Sequence, residues 1–316
     1  MSVPNRFSVN GELLKPLLVP RVAGSVGNQQ VREYIVQHFR ALDNWTIELD
    51  SFVDQTPFGQ KPFVNIVVTK NTARVARRKL VMAAHYDSKY FEQFEFIGAT
   101  DSAVPCAILM DIATTLDKQL SQSYETDDTT LQIIFFDGEE AFVSWTAEDS
   151  VYGARHLAQN WENSVEMTGS SGNNRWIKGN TRLGAIDMLI LLDLLGTPNP
   201  IFADFYRSSS WAFKQLVVLE ERLGNLGLFE SHSKDNQELK PMFNPDSVFT
   251  FTSRPPLDDH LPFIHRGVSI LHIIPTVFPS VWHNPMDNAD CVDPATVEKF
   301  AILFRSFVAE YLGLLD

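Results

Sequence analysis

"LQIIFFDGEEAF", residues 131–142, decides how this chain is read. A nearly continuous apolar run, 131–136, ends at Asp137-Gly138, and two adjacent carboxylates, Glu139 and Glu140, follow. A short apolar run closed by a glycine reads as a strand covered on both faces. Adjacent glutamates are ordinarily solvated surface residues. A Glu-Glu pair at the end of a buried strand therefore raises the question of what else the chain brings to that place.

Other runs of the same kind are "FVNIVV" (63–68), "LVMAA" (80–84), "MLILLDLLG" (188–196) and "SILHII" (269–274). Between them lie stretches of helical period. These are 31–42, 104–120 with Leu109, Ala113, Leu116 and Leu120 on one face, and 211–228. A last helix starts at Pro294, a good first-turn residue. It turns Val297, Phe300, Ala301, Phe304, Phe307, Val308 and Tyr311 inward. Strands alternating with helices imply an α/β fold, an open, mostly parallel mixed sheet with helices on both faces. The expectation is a single catalytic domain over 1–316, with about residues 1–20 as an extended N-terminal segment. Two polar stretches, 162–182 and 230–258, read as long loops, which in such folds build or cover the site.

The 316 residues are 44% hydrophobic and 21% charged, as in soluble globular proteins. A formal net charge of −13 argues against a nucleic-acid partner, which needs clustered Lys and Arg. No apolar run has the length of a membrane span; the longest candidate, 186–195, is broken by Asp187 and Asp193. The first twenty residues lack the basic-then-apolar pattern of a signal peptide. Cys106 and Cys291 are the only cysteines, so either one bridge or two free thiols is open. The sequon Asn44-Trp45-Thr46 gives weak support to a secretory route.

In open α/β sheets, ligands bind beyond the carboxyl ends of the strands. The residues there are His85-Tyr86-Asp87 after 80–84, Asp137 to Glu140 after 131–136, Asp193 within 188–196, and Trp282-His283 after 269–274. Asp101 lies just before the helix at 104. Each has an ordinary structural reading: His85 as a hydrogen-bonded core histidine, Asp101 as a helix cap, Asp193 as a carboxylate satisfied by backbone donors. Several carboxylates buried together are different, because each is desolvated and all repel one another. A divalent metal relieves both penalties, and mixed His and carboxylate ligands suit zinc. One glutamate of the pair can then hold the metal while the other moves protons.

Longer motifs carry a family resemblance. "HYDSKYF" (85–91), "GATDSAVPC" (98–106), "LQIIFFDGEEAF" (131–142), "DSVYGARHLA" (149–158), "LLDLLGTPNP" (191–200), "DDHLPF" (258–263) and "FPSVWH" (278–283) together resemble the glutaminyl cyclases. The likeness runs from about residue 20 to the C-terminus. These are members of the zinc aminopeptidase-like superfamily, which shares the bare order of His, Asp and Glu residues. The resemblance implies one zinc per chain, with Asp101, Glu140 and His283 as ligands. It implies Glu139 as general acid/base, Asp193 as a second essential carboxylate and Asp258 as a hydrogen-bonding partner in the site. Trp145, Phe278 and Trp282 would wall the substrate side chain, although aromatics in such places can simply be core. One departure stands out. Secreted members often have Cys directly before the His of "HYDSKYF", bridged to the Cys of "AVPC"; here Ala84 leaves Cys106 without that partner.

The implied reaction is cyclisation of an N-terminal Gln (and possibly Glu) of peptides and proteins to pyroglutamate, with a secreted or secretory-pathway location. Two rivals are a two-zinc aminopeptidase, with His85 and Asp193 on the second metal, and an inactive zinc-dependent binding protein.

Overall fold

The protein's structure, a computed structural model, describes residues 6–7, 11–72, 76–122, 128–164, 181–248 and 255–314. The strands are β1 (Trp45–Thr56), β2 (Gly59–Lys70), β3 (Arg78–His85), β4 (Thr129–Phe136), β5 (Ile186–Leu192), β6 (Phe202–Asp204), β7 (Phe243–Val248) and β8 (Ile270–Ile273). The main sheet has the order β1-β2-β4-β3-β5-β8. β4, β3, β5 and β8 are parallel, whereas β1 and β2 form an antiparallel hairpin that joins β4 antiparallel. The mixed, mostly parallel α/β sheet is the one the apolar runs imply.

Side-chain alternation along the strands divides the core in two. Leu80, Met82 and Ala84 of β3 and Leu131, Ile133 and Phe135 of β4 face one cluster. Helices α1 (Val26–Arg40), α2 (Val104–Gln122), α4 (Ser210–Asn225) and α6 (Pro294–Tyr311) pack there. Val81, Ala83, Ile134 and Phe136 face the other way, onto α3 (Tyr152–Asn163) and α5 (Leu261–Ile264). Helices therefore cover both faces. Among the described residues, no helix is long and apolar enough to cross a membrane.

Several boundaries differ from the sequence reading. α1 begins at Val26, not 31, because Ser25 caps it by accepting from the Asn28 N–H at 3.1 Å. Its first turn is largely polar or exposed, so the apolar period becomes visible only at Val31. β5 ends at Leu192, so Asp193 lies at the strand's carboxyl end. Leu194 and Gly196 then take positive φ and turn the chain away. The expected loop 230–258 contains β7, paired parallel with β6 in a two-stranded sheet. Of the loop 162–182, residues 165–180 lie outside the described residues. β1 and α3 escaped the reading altogether. β1 is an edge strand whose residues alternate between exposed and half-buried, not a continuous apolar run.

The N-terminal segment is not extended where it is described. Residues 11–17 make turns and a 3₁₀ turn, Lys15–Leu17, that bury Leu13, Leu14 and Leu17 in the larger cluster. Four residues on, buried Arg21 donates from Nε to the Tyr86 carbonyl at 2.7 Å and from Nη2 to the Gly98 carbonyl at 2.9 Å. It thus ties the chain's start to two segments that carry site residues. α6 begins as expected, with Pro294 in its first turn and Asp293 accepting from the Thr296 N–H at 2.9 Å.

The chain passes from β3 through α2 to β4 on one side of β3, and then to β5 on the other. That reversal opens a crevice at the carboxyl ends of the strands. Gly138 steers β4 into it, with φ +72° and the Phe63 ring packed against it. A β-carbon at 138 would sit 2.5 Å from Phe63 Cε1. Gly138→Ala should therefore cost about 1–3 kcal/mol in stability, from a strained backbone plus overpacking. Gly59 has φ +87° with nothing within 4 Å of the added carbon, so Gly59→Ala isolates the backbone share. Denaturant midpoints should fall further for the first variant; equal losses would show that Phe63 yields freely.

Candidate active site

The crevice collects carboxylates from the ends of β3, β4 and β5. His85 closes β3, with Nε2 3.0 Å from Asp101 Oδ1 and 3.5 Å from Asp193 Oδ1. Its Nδ1 faces Asp87 Oδ1 at 3.5 Å. His283, in the loop after β8, puts Nε2 3.2 Å from Glu140 Oε1 and 3.3 Å from Asp101 Oδ2. Asp101 thus stands between two imidazoles. Ligand atoms of Asp101, Glu140 and His283 all lie within 4.8 Å of one another, and so do those of His85, Asp101 and Asp193. The structure brings together the three residues that the family resemblance implies as zinc ligands.

The position of Glu139 and Glu140 has a local cause that the sequence reading did not assign. The Asp87 carboxylate accepts from both backbone N–H groups, of Glu139 at 3.1 Å and of Glu140 at 3.2 Å. Lys89 Nζ approaches Glu140 Oε2 at 3.3 Å and donates to the Ala141 carbonyl at 3.0 Å. Asp287 accepts from the Thr100 N–H at 2.8 Å and its hydroxyl at 3.0 Å, holding the residue before Asp101. Asp87 and Lys89 lie in "HYDSKYF", so a carboxylate two residues past a strand-end histidine was an available signal. Asp137, although it opens the same loop, turns away. It accepts from Asn28 Nδ2 at 2.9 Å and the Val64 N–H at 2.8 Å, and burial beside Asp87 pushes its carboxyl up to about 7.

Asp193 accepts a hydrogen bond from the Ser102 hydroxyl. Asp258 is fully buried, with Oδ2 2.7 Å from His272 Nε2. Among the described residues, no hydrogen bond joins Asp258 to Asp193 or Glu139. Phe278 and Trp282 meet edge to face at 4.9 Å, and Trp282 stacks on His283 at 4.1 Å. These two aromatics stand beside the metal-ligand group. Trp145 rides on an exposed turn, 143–148, whose start is fixed by Asp149 accepting from the N–H groups of Phe142, Val143 and Ser144. No ring contact joins Trp145 to the pair among the described residues.

Electrostatics set the chemistry. Burial pushes the Glu139 carboxyl well above its usual range; His85 opposes the rise, while Glu140, Asp258 and Asp259 add to it. Burial, then Asp193, does the same to Asp258. Burial also works against Asp101, but His283 and His85 outweigh it and hold that carboxyl low. His283 is lifted to about 9, because Asp101 and Glu140 together overcome the burial that would lower it. The carboxylates outnumber the cations His85, Lys89 and His283, and buried Asp101 Oδ2 accepts no hydrogen bond. Asp, Glu and His donors converging within 4.8 Å, with one oxygen spare, fit a divalent metal of zinc's type. Both cysteines are free thiols; Cys106 Sγ donates to the His85 carbonyl at 3.1 Å, so no bridge is needed to hold that strand end.

Residues 65–308 match peptidase family M28. A glutaminyl-peptide cyclotransferase of Drosophila melanogaster is 42% identical over 302 residues, covering 95% of this chain and 80% of the relative. A glutaminyl-peptide cyclotransferase-like protein of Bos taurus is 45% identical over 306 residues, 95% and 74% of the two chains. The crystal structure of Macrostomum lignano glutaminyl cyclase superposes with a TM-score of 0.79 at 38% identity, covering 96% of this chain and 89% of that one. A Zn-dependent exopeptidase from Parabacteroides distasonis shares the fold, with a TM-score of 0.68 at 17% identity.

Outer partners that orient metal ligands are worth about 10–100-fold in metal affinity. Asp87→Asn loses one of the two acceptors that fix Glu139 and Glu140 and sets an amide NH₂ against a backbone N–H. Zinc affinity, measured by competition with a chelating dye, should fall by about that factor while the circular dichroism spectrum is retained. Unchanged affinity would show that the turn holds itself.

Proposed function

The chain belongs to peptidase family M28 and, within it, to the glutaminyl-peptide cyclotransferases, and on that premise we propose that it converts the N-terminal Gln of peptides and proteins to pyroglutamate with release of ammonia. N-terminal Glu is a second candidate substrate. The observation that carries the proposal is the convergence of Asp101, Glu140 and His283 with Glu139 one residue away, both glutamates fixed by Asp87.

Asp101, Glu140 and His283 would hold one zinc ion, which when bound would supply Lewis-acid chemistry at the substrate's side-chain amide. Phe278 and Trp282, with Trp145 at the rim, would pack the Gln side chain and exclude water. The free α-amine attacks its own side-chain amide carbon, so a C–N bond forms within one residue. Glu139 takes a proton from that amine and returns one to the departing nitrogen, which leaves as ammonia. Its carboxyl, raised by burial among other carboxylates, suits both halves of this exchange. Asp193, oriented by Ser102, would hold the transfer geometry, and Asp258 would lie behind it. Because the nucleophile is tethered, folding the substrate so that its ends meet supplies much of the rate.

A second reading has one specific observation in its favour. His85, Asp101 and Asp193 form another group with ligand atoms within 4.8 Å, sharing Asp101 with the first. Two metals so placed would suit an aminopeptidase. Against it, Asp193 Oδ1 already accepts from Ser102, and the named relatives are cyclotransferases. We place the protein in the secretory pathway, a reading supported by the exposure of Asn44 in its sequon.

Glu139→Gln keeps shape and hydrogen bonding but removes the base. Its kcat for ammonia release should fall by at least about 10²-fold, with KM little changed and one zinc per chain retained. Glu140→Gln weakens a ligand, so inactivity there should come with loss of zinc. Elemental analysis and an ammonia assay on both variants decide the matter. Zinc lost from the first and kept by the second would reverse the two roles; two zincs tracking activity would favour the aminopeptidase.

A further inference from the structure

The mechanism leaves one buried polar chain unused. Behind Asp258 lie three side chains from three segments. His272 of β8 meets the Asp258 carboxylate at 2.7 Å. His260, in the turn entering α5, lays its ring against His272 with centroids 4.3 Å apart and planes at 40°. His260 Nε2 is 2.6 Å from the hydroxyl of Tyr206, which follows β6. Asp258, His260 and His272 are buried and Tyr206 is half-buried.

Both rings are held neutral. Burial brings His272 down to about 4, and burial together with His272 and His265 keeps His260 well below its usual value. A neutral imidazole carries one proton, on one nitrogen or the other, and what the second nitrogen meets decides which. Among the described residues, the Nδ1 atoms of both rings are buried and without a hydrogen-bond partner, so none of these residues selects the tautomer on that side. Among the described residues, the selector for His260 is Tyr206. For His272 it is Asp258 on one side and the His260 ring packed on its face.

We infer that Tyr206 and His260 are positioning residues for the reaction: the Tyr206 hydroxyl fixes the tautomer and plane of His260, and His260 fixes the His272 ring that orients Asp258. The inference rests on the reading that Asp258 serves the cyclisation. The Tyr206 hydroxyl can donate or accept; with His260 Nδ1 buried and without an acceptor among the described residues, the tautomer that leaves no buried N–H unpaired carries its proton on Nε2, which donates to the Tyr206 oxygen. Loss of the hydroxyl frees that ring to exchange tautomers and to tilt. His272 then wavers, and Asp258 loses its fixed direction toward the crevice.

Tyr206→Phe removes only the hydroxyl and keeps the ring. On the holoenzyme, kcat for a Gln-initiated peptide should fall by about 3- to 10-fold, the range of one hydrogen bond's net worth. KM, zinc content and thermal midpoint should stay near wild type. Imidazole ¹⁵N spectra should show His260 as the Nε2–H tautomer in the wild type and as a mixture in the variant. In an Asp258→Asn background, Tyr206→Phe should cost nothing further, since it acts through Asp258. Unchanged kcat with an unchanged imidazole spectrum would overturn the inference, as would losses that multiply independently in the double variant. So would a second metal equivalent lost on His260→Ala, which would make Asp258, His260 and His272 a metal site, their ligand atoms also lying within 4.8 Å. If the wild type released no ammonia, the cyclase reading would fail, while the spectra would still test the Tyr206–His260–His272 chain.

Discussion

Mutual repulsion among Asp101, Glu139, Glu140, Asp193, Asp258 and Asp259, all buried at one edge of the sheet, is the constraint from which the rest of the structure follows. Left to themselves such groups would protonate or open the crevice to water. The protein answers in two ways. It sets imidazoles between them, His85 between Asp101 and Asp193 and His283 between Asp101 and Glu140. It also leaves Asp101 Oδ2, 3.3 Å from His283 Nε2, without a hydrogen bond among the described residues, an oxygen available to a cation. The same crowding raises the Glu139 carboxyl well above its usual range, through burial first and the neighbouring Glu140, Asp258 and Asp259 next, with His85 opposing.

Holding like charges together requires rigid supports, and the fold supplies them from distant parts of the chain. Asp87 grips the backbone of Glu139 and Glu140 across about fifty residues of sequence, and Asp287 grips Thr100 across 187. Arg21 clamps the carbonyls of Tyr86 and Gly98 from the N-terminal segment. The parallel strands fix the spacing of His85, Glu139 and Asp193, since their ends are in register at the same edge. The same scaffold carries two-metal and one-metal readings, which differ only in whether His85 and Asp193 take part in binding. Asp193, one of the two residues in question, also accepts a hydrogen bond from Ser102.

Legibility in the sequence followed burial. β3, β4 and β8 were visible because strands covered on both faces are written as apolar runs, and Pro294 marked the start of α6 because only a first turn tolerates it. β1 was not, because an edge strand exposes one side and its apolar residues alternate. β7 was not, because a short strand in a two-stranded sheet lies in polar sequence. The site residues stood out as carboxylates and histidines following apolar runs. Most of their supports did not: Asp287, His272 and Tyr206 take their meaning from partners set by tertiary structure, and Asp87, visible as a strand-end carboxylate, shows its role only through the backbone it holds. The aromatic wall came from the family resemblance for all three members; among the described residues Phe278 and Trp282 meet in space, while Trp145 sits on an exposed turn.

The central claim is that this charge arrangement closes a ring within one residue instead of releasing it. It is tested most directly by incubating the zinc-loaded protein with a peptide that begins with Gln and weighing the product. The account predicts a peptide of unchanged residue count, lighter by one ammonia, with an equal amount of ammonium in solution. Free glutamine and a peptide one residue shorter would contradict it.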